Sequence, residues 1–143
     1  MKHFVITTMY GGLLVLLSLG TVSAGSFNID AVLATNLSSC KAAPSGTPLK
    51  IGYAADFSDL GGFADKPASQ AALYFVELVN CAGGVDGSPI KLIIKNIEGN
   101  PEVTQRVGHE LMAAGVSAML GPPFPDFGEP LLQVTAGKVA TLF

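Results

Sequence analysis

Apolar residues recur along the chain in two alternating spacings. Four short segments are apolar or alternate apolar with small residues, which is typical of buried strands; they are residues 49–54, 90–97, 116–120 and 139–143. Between these segments, apolar residues return every three or four positions, which is typical of helices with one buried face. The predicted helices cover residues 67–81, 101–114 and 126–135.

Residues with special backbone preferences mark the element ends. Asn100 directly precedes Pro101, which is typical of a helix start, because the Asn side chain accepts a hydrogen bond from an unpaired N–H of the first turn. Asp126 is expected to cap the third helix in the same way. The Asp86–Gly87 pair predicts a tight turn before the second strand.

Strands that alternate with helices predict the fold class. The order βαβαβαβ indicates an α/β fold with a doubly wound parallel sheet and right-handed crossovers. We expect the strand order 2-1-3-4 in this sheet. The chain ends inside the fourth predicted strand, with no helix after it, so residues 49–143 are expected to form a truncated lobe.

The first residues have the pattern of a secretory signal peptide. A basic start at Lys2 is followed by an apolar stretch over residues 4–20 and by small residues up to Ala24. This order predicts residues 1–24 as a signal peptide cleaved after Ala24. A membrane anchor is the alternative, but no basic cluster follows the apolar stretch. We therefore expect a periplasmic or secreted chain, with residues 25–48 as a leader or linker and no direct membrane insertion after cleavage.

Composition excludes several classes of function. Only 13% of the residues are charged, and without Lys2 the mature chain has seven basic and eleven acidic residues, a net charge of −4. No basic cluster is present, which argues against nucleic acid as a partner. No G-x-G-x-x-G loop follows a strand, and no P-loop or G-x-S-x-G motif occurs. Because these motifs are missing, we expect no enzyme and no cofactor. Two cysteines and two histidines offer no metal-ligand spacing, so we also expect no metal.

The two cysteines are expected to form a disulfide in an oxidising compartment. Cys81 ends the first predicted helix at the sheet edge where the first strand begins, and Cys40 shortly precedes that strand. A bridge between them would hold the leader on the domain. Lipidation of Cys40 is an alternative, since residues 37–39 resemble a lipoprotein signal, although several polar residues separate Cys40 from the apolar stretch.

The predicted sheet topology indicates where a ligand would bind. Strands one and three are neighbours whose connections leave toward opposite faces, so a crevice opens outside their carboxyl ends. Residues 56–63 and 121–127 meet there and lead into helix N-termini, which favour anions. The same glycines and prolines also fit a purely structural role in turns, and Asp126 fits a role as a helix cap.

Four phrases resemble one known family in order and spacing. They are Pro-Leu-Lys-Ile-Gly at 48–52, Val-Asn-Cys-Ala-Gly-Gly-Val-Asp-Gly-Ser-Pro-Ile at 79–90, Gly-Asn-Pro-Glu at 99–102 and Gly-Val-Ser-Ala-Met-Leu-Gly-Pro at 115–122. The chain resembles the N-terminal lobe of type I periplasmic solute-binding proteins of ABC importers, specifically the branched-chain amino-acid-binding branch. The resemblance implies capture of a small polar organic solute (an amino acid, amide or related compound) between two lobes. An ABC permease in the inner membrane would be the partner.

The resemblance also implies which residues contact the ligand. Carried onto this sequence, they are Ser58, Leu60, Gly62, Phe63, Phe124, Pro125, Asp126 and Phe127. Amino-acid binders typically have a small hydroxyl residue in the second loop, where this chain has Phe124-Pro125-Asp126. An ionised Asp126 would repel a carboxylate. Together with the aromatic residues Phe57, Phe63, Phe124 and Phe127, it indicates a ligand with an apolar or aromatic body and a cationic or hydrogen-donating group.

Two other readings of the same fold stay open at this point. The lobe also fits a ligand-sensing receptor or regulator, which a membrane span or a signalling domain downstream would favour. A truncated lobe without a function of its own is the other alternative, because a single lobe exposes the face meant for its partner lobe and leaves a strand edge unpaired.

Overall fold

The computed structural model describes residues 27–40 and 44–143. The predicted signal peptide and its cleavage site after Ala24 lie outside the described residues. The elements follow the chain as α1 (Ile29–Leu33), a 3₁₀ turn (Leu37–Ser39), β1 (Leu49–Ala55), α2 (Gly62–Cys81), β2 (Ile90–Asn96), α3 (Pro101–Ala113), β3 (Ala118–Leu120), α4 (Pro125–Thr135) and β4 (Ala140–Leu142). Across the described part of the chain, none of these helices has the length and apolar character needed to cross a membrane.

The four strands form one parallel sheet in the order β2-β1-β3-β4, which confirms the predicted fold class and strand order. β1 pairs with β2 along its whole length, from Leu49 opposite Ile90 to Ala55 opposite Asn96. β3 and β4 are shorter than predicted and contribute three residues each. Because β1 pairs with β2 on one side and with β3 on the other, it is a central strand, which explains its buried carboxyl-terminal half.

Successive residues of β1 face opposite sides of the sheet. Gly52 faces α3, where an added Cβ would lie 3.0 Å from the Leu111 side chain. Tyr53 faces α2 instead and donates a hydrogen bond to Asp65. α3 and α4 pack against each other and enclose the main core. The buried members of this core are Ala54, Ile97, Val107, Leu111, Met119, Phe127 and Leu131.

The start of α2 differs from the sequence prediction. The pattern predicts a start at Pro67, because proline is unfavourable inside a helix, but the helix begins at Gly62. The buried Asp65 explains the earlier start. Its carboxylate accepts hydrogen bonds from the Tyr53 hydroxyl (2.7 Å) and from the Asp56 backbone N–H (2.6 Å), which hold the first turn against β1.

The starts of α3 and α4 follow different rules. The predicted Asn100 cap is confirmed, because its side chain accepts a hydrogen bond of 3.0 Å from the Val103 N–H. The predicted Asp126 cap is wrong. Phe124 occupies the cap position of α4 without a side-chain bond, and Asp126 lies in the first turn. The helix begins at Pro125, because proline needs no N–H partner there and its φ already suits a helix.

The leader contains ordered structure that the sequence pattern does not predict. The Asn28 side chain caps α1 by accepting a hydrogen bond from the Ala31 N–H. Val32 is only 4% exposed and packs in a second apolar cluster, together with α2 residues. The predicted disulfide between Cys40 and Cys81 is present, with Cα atoms 5.2 Å apart. The leader is thus packed on the end of α2 and bonded to it.

Removing this disulfide should destabilise the lobe. The bridge closes a sequence separation of 41 residues, which restricts the unfolded chain and corresponds to about 4 kcal/mol of stability. We expect the Cys40→Ser/Cys81→Ser variant to lose about this amount in urea unfolding. The wild-type chain reduced with dithiothreitol is the control and should unfold at the same midpoint as the variant. Equal midpoints for the oxidised wild type and the variant would contradict this prediction.

The Tyr53–Asp65 hydrogen bond should make stability depend on alkaline pH. Burial, followed by the hydrogen bond and charge of Asp65, raises the pKa of Tyr53 far above its ordinary value of 10.0. The stabilisation is therefore complete below pH 10.0 and is lost as pH rises further, because the unfolded state releases this proton first. We expect a loss of up to about 1.4 kcal/mol per pH unit above this point.

The matched variants for this measurement are Tyr53→Phe and Tyr74→Phe. Tyr53→Phe should lower stability by about 1 kcal/mol near neutral pH and remove this tyrosine's share of the alkaline loss. Tyr74 is exposed on α2. The Tyr74→Phe variant should therefore have the wild-type stability in urea unfolding, both near neutral pH and above pH 10.0. If the free energy of unfolding fell equally steeply with pH above 10.0 in Tyr53→Phe and in the wild type, the Tyr53 hydroxyl would not titrate as described.

Candidate functional site

All four strands of the sheet end at the same edge, which we call the carboxyl edge. Three connections lie there: residues 56–61 after β1, residues 97–100 after β2 and residues 121–124 after β3. Because β1 and β3 are neighbours while α2 and α3 cover opposite faces, the crevice of this doubly wound sheet opens between the first and third connections.

The first connection is held by its own polar side chains. Asp56 is fully buried (0% exposed), and its Oδ1 accepts a hydrogen bond of 2.8 Å from the Ser58 N–H. The Ser58 hydroxyl accepts from the Leu60 N–H at 3.2 Å, and the Ser58 carbonyl accepts from the Gly62 N–H at 2.9 Å. These bonds arrange the backbone before α2 as a tight turn.

A side chain from β2 joins the first connection to the second. The Oδ1 of Asn96 accepts hydrogen bonds from the Phe57 N–H (2.9 Å) and from the Glu98 N–H (3.0 Å). Glu98 and Gly99 both have positive φ, and an added Cβ at Gly99 would lie 2.7 Å from the Ser58 hydroxyl. Asn96 is not among the site residues predicted from the sequence, although an Asn two residues before Glu98-Gly99 is a recognisable turn signal.

Aromatic side chains from the starts of α2 and α4 contact each other beside the first and third connections. The rings of Phe63 and Phe124 have centroids 6.0 Å apart and are tilted by 53°, a favourable aromatic geometry. Phe63 is 74% exposed and Leu60 is 66% exposed. A largely apolar groove of about 320 Å³ adjoins Phe124; it is lined by Pro122, Pro123, Phe124, Pro125, Gly128, Glu129, Leu132 and Phe143.

The structure divides the predicted ligand-contacting residues into two groups. Those with an exposed or half-buried side chain on the first connection or on the starts of α2 and α4, a set that we call the rim, are Leu60, Phe63, Phe124, Pro125 and Asp126. Gly62 is buried and the Ser58 hydroxyl is used within the turn. Phe127 is 8% exposed and belongs to the hydrophobic core, so its side chain serves packing rather than the rim. Its spacing from Leu131 and Val134 on α4 already places it on the apolar face of the helix.

The chemistry of the edge is that of a binding surface. Within residues 27–40 and 44–143, no group of three or more His, Cys, Asp or Glu side chains is placed to hold a metal ion. The edge offers apolar rings, backbone groups and carboxylates, and its polar side chains bond mainly to its own backbone. This arrangement fits non-covalent recognition of a small molecule.

Removing the Asn96 side chain should loosen the first two connections. In Asn96→Ala, the Phe57 and Glu98 amides lose their acceptor, so we expect both to exchange with solvent about five- to tenfold faster in hydrogen-exchange NMR. Asn96→Asp keeps an acceptor oxygen and serves as the control, with smaller changes. Unchanged exchange at both amides in Asn96→Ala would show that this side chain does not hold the connections.

Comparisons with known proteins agree with this geometry. The family model for periplasmic binding proteins matches residues 48–143. Among solved structures, the chain is similar to the branched-chain amino acid transporter substrate-binding protein LivJ from Streptococcus pneumoniae, in complex with isoleucine, at 24% sequence identity and a TM-score of 0.59. The match covers 62% of this chain and 26% of LivJ, so it extends over about a quarter of that protein. No curated protein matches the chain.

The likeness to LivJ is one of fold and agrees with the observed sheet. The family match includes all four strands and both connections that form the crevice. A family of binding proteins also agrees with the expectation that the protein is not an enzyme. From these observations, the chain belongs to the periplasmic binding protein family.

Proposed function

We propose that the chain supplies the first lobe of an extracytoplasmic solute-binding protein of an ABC importer. It captures a small polar organic solute (an amino acid, amide or related compound) at the carboxyl edge and delivers it to a permease in the inner membrane. The observation that carries the proposal is the contact between the exposed Phe63 ring and the half-buried Phe124 ring, which joins the starts of α2 and α4 at the crevice.

The exposure of the rim supports a binding role. Leu60 and Phe63 are large apolar side chains that lie mostly in solvent, on or beside the hydrogen-bonded first connection. Clustered apolar exposure of this kind marks a surface that is covered when the protein functions. In the proposed complex, the ligand covers the rings, and a second lobe covers the rest of the rim.

The ligand contacts follow from the position of each side chain. We assign direct contacts to Leu60, Phe63, Phe124, Pro125 and Asp126. Ser58 and Gly62 act through the backbone that they position. The disulfide between Cys40 and Cys81 supports the periplasmic or secreted location, because such bridges persist in oxidising compartments. Cleavage after Ala24 is part of the same proposal.

Ligand binding at the edge should perturb a small and specific set of amides. We expect phenylalanine and phenylalaninamide, titrated into the ¹⁵N-labelled chain, to shift the amide signals of residues 56–63 and of Phe124 and Asp126. The Phe124→Ala variant should weaken binding about tenfold, since an aromatic contact contributes about 1 kcal/mol beyond the loss of buried area.

Tyr74→Ala is the matched control for this titration. Tyr74 is an exposed aromatic residue on α2 (57% exposed), away from the carboxyl edge, and its loss should leave binding unchanged. Shifts that appear only outside residues 56–63 and 121–127 would refute the proposed location. Equal weakening by Phe124→Ala and Tyr74→Ala would refute the role of the aromatic pair.

A further inference from the structure

Acidic residues predominate at the carboxyl edge and at the helix starts beside it. The segments 56–66, 97–102 and 121–129 contain seven acidic residues and one basic residue, Lys66, whose ammonium group would lie 3.2 Å from a Cβ added at Gly62. The opposite edge carries lysines. Lys50 and Lys138 donate hydrogen bonds to the carbonyls of Ala114 and Val134, at the ends of α3 and α4. The crevice therefore lies at the negative end of the lobe.

The start of α4 lacks the donors that a helix normally offers to an anion. Pro122, Pro123 and Pro125 have no N–H group. The N–H groups of Phe127 and Gly128 already donate to the Phe124 carbonyl, at 3.1 Å and 2.8 Å. The exposed carboxylate of Asp126 lies in this first turn. A carboxylate ligand would meet few donors and a like charge here.

An unpaired oxygen lies beneath the rim. Asp56 is fully buried, and its Oδ2 has no hydrogen-bond partner among the described residues. This oxygen faces the backbone of Gly61, where an added Cβ would collide with it, and an added Cβ at Gly99 would lie 3.5 Å from it. A buried acceptor without a donor adds negative potential to the rim in a region that water screens poorly.

The aromatic pair supplies a second attraction for positive charge. The Phe63 ring is largely exposed, and together with Phe124 it presents an aromatic surface at the rim. Ring faces are electron-rich and attract ammonium groups, while ring edges and proline side chains pack on apolar bodies. The acidic and aromatic groups at this edge thus both favour a ligand with a positively charged group.

We propose that the site selects small organic cations with an apolar body and without a carboxylate. This inference rests on the proposed function and specifies its ligand class. The apolar body packs on Phe63 and Phe124, and the ammonium group lies near Asp126. Carboxylate-bearing ligands of the same shape are discriminated against by charge and by the missing N–H donors.

Three ligands that share one ring test the charge preference. Phenethylamine is a cation, phenylalanine is a zwitterion and 3-phenylpropionate is an anion. In NMR titrations of the ¹⁵N-labelled chain at neutral pH, we expect phenethylamine to bind about tenfold tighter than 3-phenylpropionate, with phenylalanine between them. Added sodium chloride should reduce this preference, because salt screens charges at an exposed rim.

Two single substitutions separate local charge from net charge. Asp126→Asn should weaken phenethylamine binding about two- to fivefold and strengthen 3-phenylpropionate binding. Asp86 is exposed in the turn before β2, at the opposite edge, and Asp86→Asn should change neither affinity. Both residues are exposed, so the spectra of both variants should retain the wild-type dispersion.

Each contrary outcome identifies what fails. If phenylalanine or 3-phenylpropionate binds at the edge as tightly as phenethylamine, the charge selectivity is overturned and the proposed function stands. If none of the three ligands perturbs the edge, both proposals are overturned. Equal effects of Asp126→Asn and Asp86→Asn would attribute the preference to net charge and overturn the assigned role of Asp126.

Discussion

The Asp65 carboxylate connects the central strand to the start of α2, and the geometry of the site depends on this connection. It accepts one hydrogen bond from the Tyr53 side chain and one from the Asp56 backbone. These bonds are buried, so each donor and acceptor would be costly to leave unpaired. They stabilise the helical turn that precedes Pro67, and this turn carries Phe63 to the rim. A helix that began at Pro67 would leave Phe63 on a loop and would separate it from Phe124.

The remaining polar groups of the edge serve mainly to stabilise its own backbone. Ser58 and Asn96 accept hydrogen bonds from N–H groups of the first two connections. The large apolar side chains left exposed there are Leu60 and Phe63, and the Phe63 ring contacts the half-buried Phe124 ring. Side chains and loops that are ordered before binding lose little entropy when a ligand arrives. The edge is therefore a preorganised apolar surface on a polar scaffold. Asp126 is the rim carboxylate on the first turn of α4 and is exposed to solvent.

The sequence predicts the features that depend on local periodicity and misses those that depend on distant contacts. The four strands and their order follow from the spacing of apolar residues, because a βαβ alternation permits few topologies. The early start of α2 depends on Asp65 reaching β1, and the α1 helix depends on Val32 packing against α2. Neither contact is visible in a local pattern. Phe127 differs from these two examples, because its local pattern is informative. Its helical spacing correctly places it in the core, whereas its position in the family motif wrongly assigns it to the ligand contacts.

Fold and loop sequence determine different properties of this site. Parallel strand order places the crevice at the carboxyl edge, and the helix dipoles alone would make that edge favourable for anions. In this chain, prolines at the start of α4 remove backbone donors, and Asp126 adds a negative charge in their place. A dipole equivalent to about half a charge is outweighed by a full carboxylate charge in the same turn. Strand order fixes the position of the crevice, whereas the proposed charge preference depends on a few loop residues, so it can differ between lobes that share the same sheet.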